Sequence, residues 1–201
     1  RLRADGILMP HLQQALFVSG HCKATLHKHL TLIHLMMNFE FYLDNFEKAA
    51  KSLDKKLLEK KDIQIQTGIW LDSVVLRLQK RHWANKPDEK PHTGSAIFMG
   101  IWVDKEAAAN QKLFYNIHAL RLRQLKGYKL QSRAFAMSFR EKFKQFEKNW
   151  SNVSTDFAPQ TLMEGWIDLD NEKIQKDILK IANNFLEIEH LIDNTLEEFK
   201  K

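Results

Sequence analysis

The spacing of apolar residues changes twice along this chain of 201 residues, and these changes constrain the fold most. From Cys22 to Leu57, apolar side chains recur at steps of three and four, which places them on one face of a helix. In the middle of the chain the repeat becomes two, as in strands, and the helical spacing then returns. The prediction is a single α+β domain over residues 1–201, with helical regions at 10–61 and 131–199 and a sheet region at 64–125.

Three segments of the middle region have the composition of strands. Residues 74–80 alternate in polarity, residues 96–103 form a short apolar run, and residues 114–123 alternate again. Their β-branched and aromatic side chains, with turn residues between them, predict a small central antiparallel sheet. Residues 105–112 could instead extend the third segment as a helix, and this alternative stays open.

Long helices are predicted at both ends of the chain. A helix over residues 22–58 would be about 55 Å long at ~1.5 Å per residue, so we expect a kink or a break within it. An irregular piece over residues 151–165 precedes a C-terminal helix capped by Asp170, whose apolar stripe covers residues 174–199. We expect the two terminal helices to pack together with the sheet between them.

Charge is distributed unevenly along the chain, whose formal net charge is +6. Residues 77–148 carry 16 Lys or Arg against six Asp or Glu, whereas residues 151–201 carry 11 Asp or Glu against five Lys. This split predicts an anionic partner, with nucleic acid the favoured example. Two internal explanations stay open: the cations could solvate one face of the domain, or they could pair with the acidic C-terminal helix.

The predicted strands also indicate where an anionic partner would bind. Alternation places Arg77 and Arg81 on one face of their strand, and Arg121 and Arg123 on one face of the last strand. Arginines beside exposed aromatic rings suit a single-stranded nucleic acid, because cations neutralise phosphates and rings stack on bases. The predicted anion-binding or nucleic-acid-binding surface consists of Arg77, Arg81, Trp83, Trp102, Arg121, Arg123, Arg133 and Arg140.

Residues 77–82 place Arg77 and His82 five positions apart. This short motif resembles the Arg…His pair of HEPN-type helical ribonucleases, and the resemblance covers these six residues. It implies a phosphodiesterase or ribonuclease-like hydrolase in which Arg77 and His82 act on the phosphodiester. That activity would require both residues to lie on a helix, whereas the alternation of residues 74–80 predicts a strand.

His118 and Asn116 lie on the same predicted strand face as Phe114 and Leu120, where polar groups are costly unless they are hydrogen-bonded. A pocket that opens on this face could use His118 as a general acid or base, so His118 is a second catalytic candidate beside His82. A structural hydrogen bond to the neighbouring strand would explain the same pattern. No Ser or Cys nucleophile adjoins His118 in sequence, so binding is favoured over catalysis.

A metal site would need more ligands than the sequence offers in one place. Glu187 and His190 have the Glu-x-x-His spacing of carboxylate metal sites in helical bundles, but the sequence contains no second copy of this motif. His29 or His34 could join them only if the terminal helices were neighbours. We therefore predict no metal and no cofactor.

Compartment and assembly follow from a few residues. The single cysteine, Cys22, fits a reducing compartment, and no apolar run reaches the ~20 residues of a membrane-spanning helix. No signal peptide is evident after Arg1, although the natural N-terminus could have been trimmed, since the first residue is not Met. The prediction is a cytoplasmic protein without membrane contact. Its alternative function is a protein–protein module in which the terminal helices form a homo-oligomer or a partner interface.

Overall fold

The computed structural model describes residues 38–89 and 94–201. The helices are α1 (Phe39–Ser52), α2 (Lys55–Lys60), α3 (Lys105–Ala109), α4 (Ser132–Phe143), α5 (Ile174–Ile188) and α6 (His190–Glu197). The strands are β1 (Ile63–Trp70), β2 (Ser73–Lys80), β3 (Ala96–Asp104), β4 (Lys112–Leu120) and β5 (Thr161–Asp168). The helical prediction for residues 10–37, which includes Cys22, His29 and His34, lies outside the described residues.

The five strands form one antiparallel sheet in which each strand pairs with the next one along the chain. A two-residue turn joins β1 to β2, and both of its residues, Leu71 and Asp72, have positive φ (50° and 58°). Two positive φ values are the type I′ geometry, whose twist matches that of a tight hairpin. One row of cross-strand neighbours, here called the polar row, crosses all five strands: Gln66, Arg77, Gly100, Asn116 and Glu164.

One face of the sheet, here called the helix face, carries the hydrophobic core. Leu76, Ile101 and Tyr115 are cross-strand neighbours on this face, and all three are almost fully buried. α1 packs on β1 and β2, α5 on β3, and α4 on β5. The apolar stripe of α5 has the predicted helical spacing and is buried: Ile174, Ile178, Ile181, Phe185 and Ile188.

Side-chain caps determine where three of the helices begin. The Asn38 side chain accepts a hydrogen bond from the backbone N–H of Phe41, 3.0 Å away, at the start of α1. Asp54 and Asp104 cap α2 and α3 in the same way. Each cap satisfies backbone donors that have no partner inside the first turn of a helix.

The predicted α+β class with an antiparallel sheet is confirmed, but several boundaries were wrong. The sheet has five strands rather than three, because β1 was missed and β5 lies partly in the segment predicted as irregular. The strand predicted over 114–123 ends at Leu120, since Arg121 adopts a left-handed conformation (φ 48°) and a 3₁₀ turn follows. The C-terminal helix is divided at Glu189 into α5 and α6. The single-domain organisation of residues 1–201 stays a prediction.

Candidate ligand pocket on the open face of the sheet

The face of the sheet opposite the helix face, here called the open face, holds a pocket of about 430 Å³. All five strands contribute to this sheet-face pocket, and most of its lining is apolar. Its central residues are Trp70, Val75, Phe98, Trp102, Asn116 and His118. Pockets of this size and character are typical of sites for small organic molecules.

The middle of the polar row forms part of this pocket, and Gly100 keeps it open. A Cβ atom at residue 100 would lie 3.0 Å from Asn116 Oδ1, which is closer than side chains normally approach. Asn116 is 3% exposed and donates from Nδ2 to Glu164 Oε2 over 3.1 Å. Its Oδ1 atom has no hydrogen-bond partner in the described part of the chain. A buried acceptor left in this state costs roughly 1–3 kcal/mol unless a donor from outside the protein reaches it.

Aromatic rings supply much of the pocket wall. Trp102 stacks on Phe114, with ring centroids 4.7 Å apart and planes inclined by 14°. Phe98 meets the His118 ring edge-on at 5.4 Å. The indole N–H of Trp102 is buried without a partner in residues 38–89 and 94–201, although buried indole N–H groups usually find one. Beside these rings, Leu71 at the hairpin tip borders the pocket and is 78% exposed.

His118 shares this face with Asn116, as the strand alternation predicted. Burial lowers the pKa of His118, and this effect outweighs a backbone hydrogen bond with Gln160 and the charge of Glu164, which act in the opposite direction. The imidazole Nδ1 lies 3.4 Å from Thr161 Oγ1. The ring is therefore mostly neutral at neutral pH and contacts Thr161 at the start of β5, which is typical of a histidine with a structural role.

Arg77 lies on the open face beside the pocket, but its guanidinium group is used inside the protein. The residue is 2% exposed, and Nη2 donates to Pro87 O over 2.8 Å and also to the Gln66 side chain. Nη1 donates to Glu89 O over 3.2 Å. Burial lowers the pKa of Arg77, whereas the charge of Asp88 raises it. Arg77 thus fastens the segment after β2 to the sheet and does not present its charge to solvent.

His82 and Trp83 lie toward the helix face, where Asp193 of α6 binds both. Asp193 accepts hydrogen bonds from Trp83 Nε1 (2.6 Å), His82 Nε2 (2.9 Å) and Lys80 Nζ (2.6 Å). Trp83 is 0% exposed and packs edge-on against Phe185, so its predicted role as an exposed stacking ring is wrong. Arg77 and His82 do not meet, because their hydrogen-bond partners lie on opposite sides of the sheet.

The other predicted arginines do not gather on one sheet face. Arg140 of α4 donates to backbone carbonyl groups before and at the start of β5, including those of Phe157 and Leu162. Arg81 is exposed and pairs with Asp88 over 3.3 Å. The expected common plane of guanidinium groups is therefore wrong. The remaining three arginines are exposed and lie in or next to the connection between β4 and α4: Arg121, Arg123 and Arg133.

Part of the prediction that cations pair with the acidic C-terminal helices is realised. Glu189 lies 2.5 Å from Lys80 Nζ and 2.9 Å from Lys61 Nζ. Lys142 of α4 contacts Glu198. In these ion pairs, lysines from the earlier part of the chain neutralise carboxylates of the acidic C-terminal region. The pairs connect α4, β2 and the end of α2 to the C-terminal region.

Sequence reasoning missed the pocket residues that lie on β1 and β5. Trp70 ends β1, and Glu164 lies in the middle of β5. A signal was present in both segments: residues 63–70 alternate Ile and Gln before a glycine, and Glu164 and Trp166 are two positions apart. Read as strands, both segments would have placed these side chains on one face with Arg77 and Asn116.

Comparisons of the chain with protein-family models, with curated proteins and with solved structures find no match. Within residues 38–89 and 94–201, no group of three or more His, Cys, Asp or Glu side chains is arranged to hold a metal ion. No helix in the same two ranges is both long and apolar enough to cross a membrane.

Proposed function

We propose that the protein binds a small organic molecule in the sheet-face pocket. The observation that carries this proposal is a largely apolar pocket of about 430 Å³ with two buried polar atoms that have no hydrogen-bond partner among residues 38–89 and 94–201: Asn116 Oδ1 and Trp102 Nε1. A mostly apolar cavity with a few converging polar groups is the usual form of a ligand site. Buried polar groups usually have hydrogen-bond partners, so these two atoms support a ligand that supplies a donor and an acceptor.

Binding is favoured over catalysis because the reactive groups of the pocket lie apart. Ser73 pairs with Asp104 at one end of β3, whereas His118 pairs with Phe98 near the other end. Six residues of extended strand separate these positions, or about 20 Å at ~3.3 Å per residue. Ser73 therefore cannot be activated by His118, and a serine hydrolase mechanism is not supported. His118 is better suited to positioning a ligand.

Ligand binding can be tested by screening the full chain against a library of small organic fragments, followed by NMR of the indole N–H signals. Replacing Val75, which lines the pocket, by Phe narrows it and should weaken the responses. Val153→Phe adds the same bulk at a half-buried position that does not line the pocket, and should leave them unchanged. Fragment responses that are as strong in Val75→Phe as in Val153→Phe would refute the proposal.

A second candidate function, binding of an anionic polymer with nucleic acid favoured, rests on the connection between β4 and α4. Residues 121–133 carry five Lys or Arg and no Asp or Glu. All five are exposed: Arg121, Arg123, Lys126, Lys129 and Arg133. This cationic connection is a stretch of surface suited to phosphates, although it is not the sheet face first expected.

Fluorescence anisotropy with single-stranded DNA and RNA tests this second candidate. Affinity should fall steeply as salt rises, because each neutralised phosphate releases a counterion. The double variant Arg123→Glu/Lys126→Glu should lose binding, while Lys105→Glu, a charge reversal at an exposed position of α3, should retain most of it. Equal loss in both variants would indicate unspecific attraction to net positive charge and would count against this surface.

The alternative of an interaction module built on the terminal helices has less support. The apolar stripe of α5 and α6 is buried inside the domain, so it offers no partner surface. An oligomer would therefore need a surface other than this stripe.

A further inference from the structure

Within residues 38–89 and 94–201, the charged groups that line the sheet-face pocket are of one sign. Asp104 and Glu164 are among these described lining residues, and none of them is Lys or Arg. Each carboxylate accepts a hydrogen bond from a neutral donor: Asp104 Oδ1 from the backbone N–H of Ala107 over 2.7 Å, and Glu164 Oε2 from Asn116 Nδ2. Both carboxylates lie beside a largely apolar cavity, where charge interactions are stronger than in bulk water.

His118 does not offset this negative charge. Because burial lowers the pKa of His118, its imidazole ring is mostly uncharged at neutral pH. Arg77 lies next to the pocket but is not one of its lining residues. Its Nη1 and Nη2 atoms donate to Gln66, Pro87 and Glu89, the charge of Asp88 acts on it, and its Nε atom has no hydrogen-bond partner in the described part of the chain. The lining therefore favours a positive ligand.

Aromatic rings on the open face already receive cations from the protein itself. The Lys112 ammonium group lies 3.9 Å from the centroid of the Trp166 ring. The Arg77 guanidinium carbon lies 6.0 Å from the ring centroids of both Trp70 and Phe98. These contacts show that the ring faces on this side of the sheet are placed to attract positive charge.

The unpartnered atoms indicate where the donors of such a ligand would go. Asn116 Oδ1 is a buried acceptor, and the missing side chain at Gly100 leaves room directly beside it. Glu164 adjoins Asn116 in the polar row and offers further acceptor sites. Two acceptors in neighbouring positions, one of them charged, suit a group that carries several N–H donors.

We propose that the sheet-face pocket binds a small organic cation, namely an ammonium or amidinium group carried by an aromatic ring. The ring would pack among Phe98 and Trp102, and the charged group would donate hydrogen bonds to Asn116 Oδ1 and Glu164. This inference rests on the proposed function, since it names the class of molecule that the same pocket takes.

Three probes of similar shape and different charge test the proposal: 2-phenylethylamine, 2-phenylethanol and phenylacetate. Binding to the full chain is measured near neutral pH by isothermal titration calorimetry, with the indole N–H signals in NMR as the site-specific readout. The amine should bind at least about tenfold more tightly than the alcohol, the gain expected from cation–π and carboxylate contacts together, and phenylacetate should bind most weakly.

The variant Glu164→Gln removes the charge and keeps an oxygen that can accept from Asn116. It should reduce the preference for the amine over the alcohol at least about threefold, which corresponds to a modest charge contribution. The control variant Glu172→Gln, at an exposed position before α5, should leave this preference unchanged.

The possible outcomes separate the two proposals. If the alcohol or phenylacetate binds as tightly as the amine through the same indole signals, the ligand class is wrong and the ligand site stands. If no probe and no library fragment moves those signals, both proposals are wrong. Nuclear Overhauser contacts between residues 1–37 and the Trp102 indole would show that the pocket is filled by the chain itself, which would likewise overturn both.

Discussion

Replacing Asp193 by Asn removes the carboxylate that joins α6 to the end of β2. Asp193 accepts from Lys80 Nζ, His82 Nε2 and Trp83 Nε1 at distances between 2.6 and 2.9 Å. An asparagine has one acceptor oxygen, so it cannot serve all three donors, and it has no charge to balance Lys80. We expect the variant to fold and to be less stable.

The size of the loss follows from the pKa of Asp193. Burial alone would raise this pKa, but hydrogen bonds from His82, Lys80 and Trp83 outweigh burial and lower it from 3.8 to about 2. The fall of the pKa from 3.8 to about 2 corresponds to roughly 2–3 kcal/mol of stabilisation at ~1.4 kcal/mol per pH unit before screening, and we take the lower end. The side chain is 29% exposed, so screening by solvent removes only part of this contribution. Glu189 still faces Lys80 in the variant, which limits the loss to about this value.

Urea denaturation as a function of pH measures this contribution. Because the folded-state pKa is depressed, the stabilisation is complete above the unfolded value of 3.8 and is lost as pH falls towards 2. Asp193→Asn should therefore lose roughly 2 kcal/mol at neutral pH and show a shallower decline in stability between about pH 4 and pH 2. The control variant Glu172→Gln should match the parent chain. A loss below about 0.5 kcal/mol, or an acid dependence as steep as in the parent, would show that the Asp193 carboxylate does not stabilise the fold.

Three further predictions concern the core and the sheet edge. Gly165→Ala should lower the free energy of unfolding by roughly 1–3 kcal/mol in thermal or urea unfolding, because a Cβ atom there would collide with the ring and hydroxyl of Tyr115. An unchanged stability would contradict the packing of Tyr115 over Gly165. Phe185→Ala should lower the free energy of unfolding by roughly 3–5 kcal/mol, since the Phe185 ring is fully buried against Trp83. A decrease below about 1 kcal/mol in urea unfolding would mean that α5 packs differently. Arg140→Met should destabilise the start of β5, because four backbone carbonyl groups lose their side-chain donor. The expected result is faster amide hydrogen exchange at Leu162 and Met163 than in the parent chain. Unchanged exchange at these two residues would mean that Arg140 does not stabilise β5.

The elements predicted correctly from the sequence are those in which the spacing of apolar side chains alone distinguishes a helix from a strand. The alternation of β2, the apolar run of β3 and the stripe of α5 were each visible, because burial on one face requires a fixed repeat. β5 was missed because Gly165 and Glu164 interrupt its apolar character; it becomes a strand by pairing with β4, and Gly165 is needed where the Tyr115 ring passes over it. Local composition carries little information about such a pairing.

The candidate site was predicted in part. Asn116 and His118 were correctly placed on one face, since alternation within β4 is enough to show it. Arg121 was misplaced because alternation holds only while the backbone stays extended, and its left-handed φ ends the strand. The uses of Arg77 and Trp83 depend on contacts with Pro87 and Asp193, which are distant in sequence and could not be read from spacing.

The proposed ligand site lies on the open face of the sheet and not on the helix face. Tryptophans are present on both sides of the sheet: Trp70, Trp102 and Trp166 lie on the open face, whereas Trp83 and Trp150 pack among the helices. Titration of the full chain with 2-phenylethylamine, followed by NMR of the five indole N–H signals, should shift those of Trp102 and Trp70 and leave those of Trp83 and Trp150 in place. Shifts confined to Trp83 and Trp150, or no shift in any signal with this or any other fragment, would rule out a ligand site on the open face.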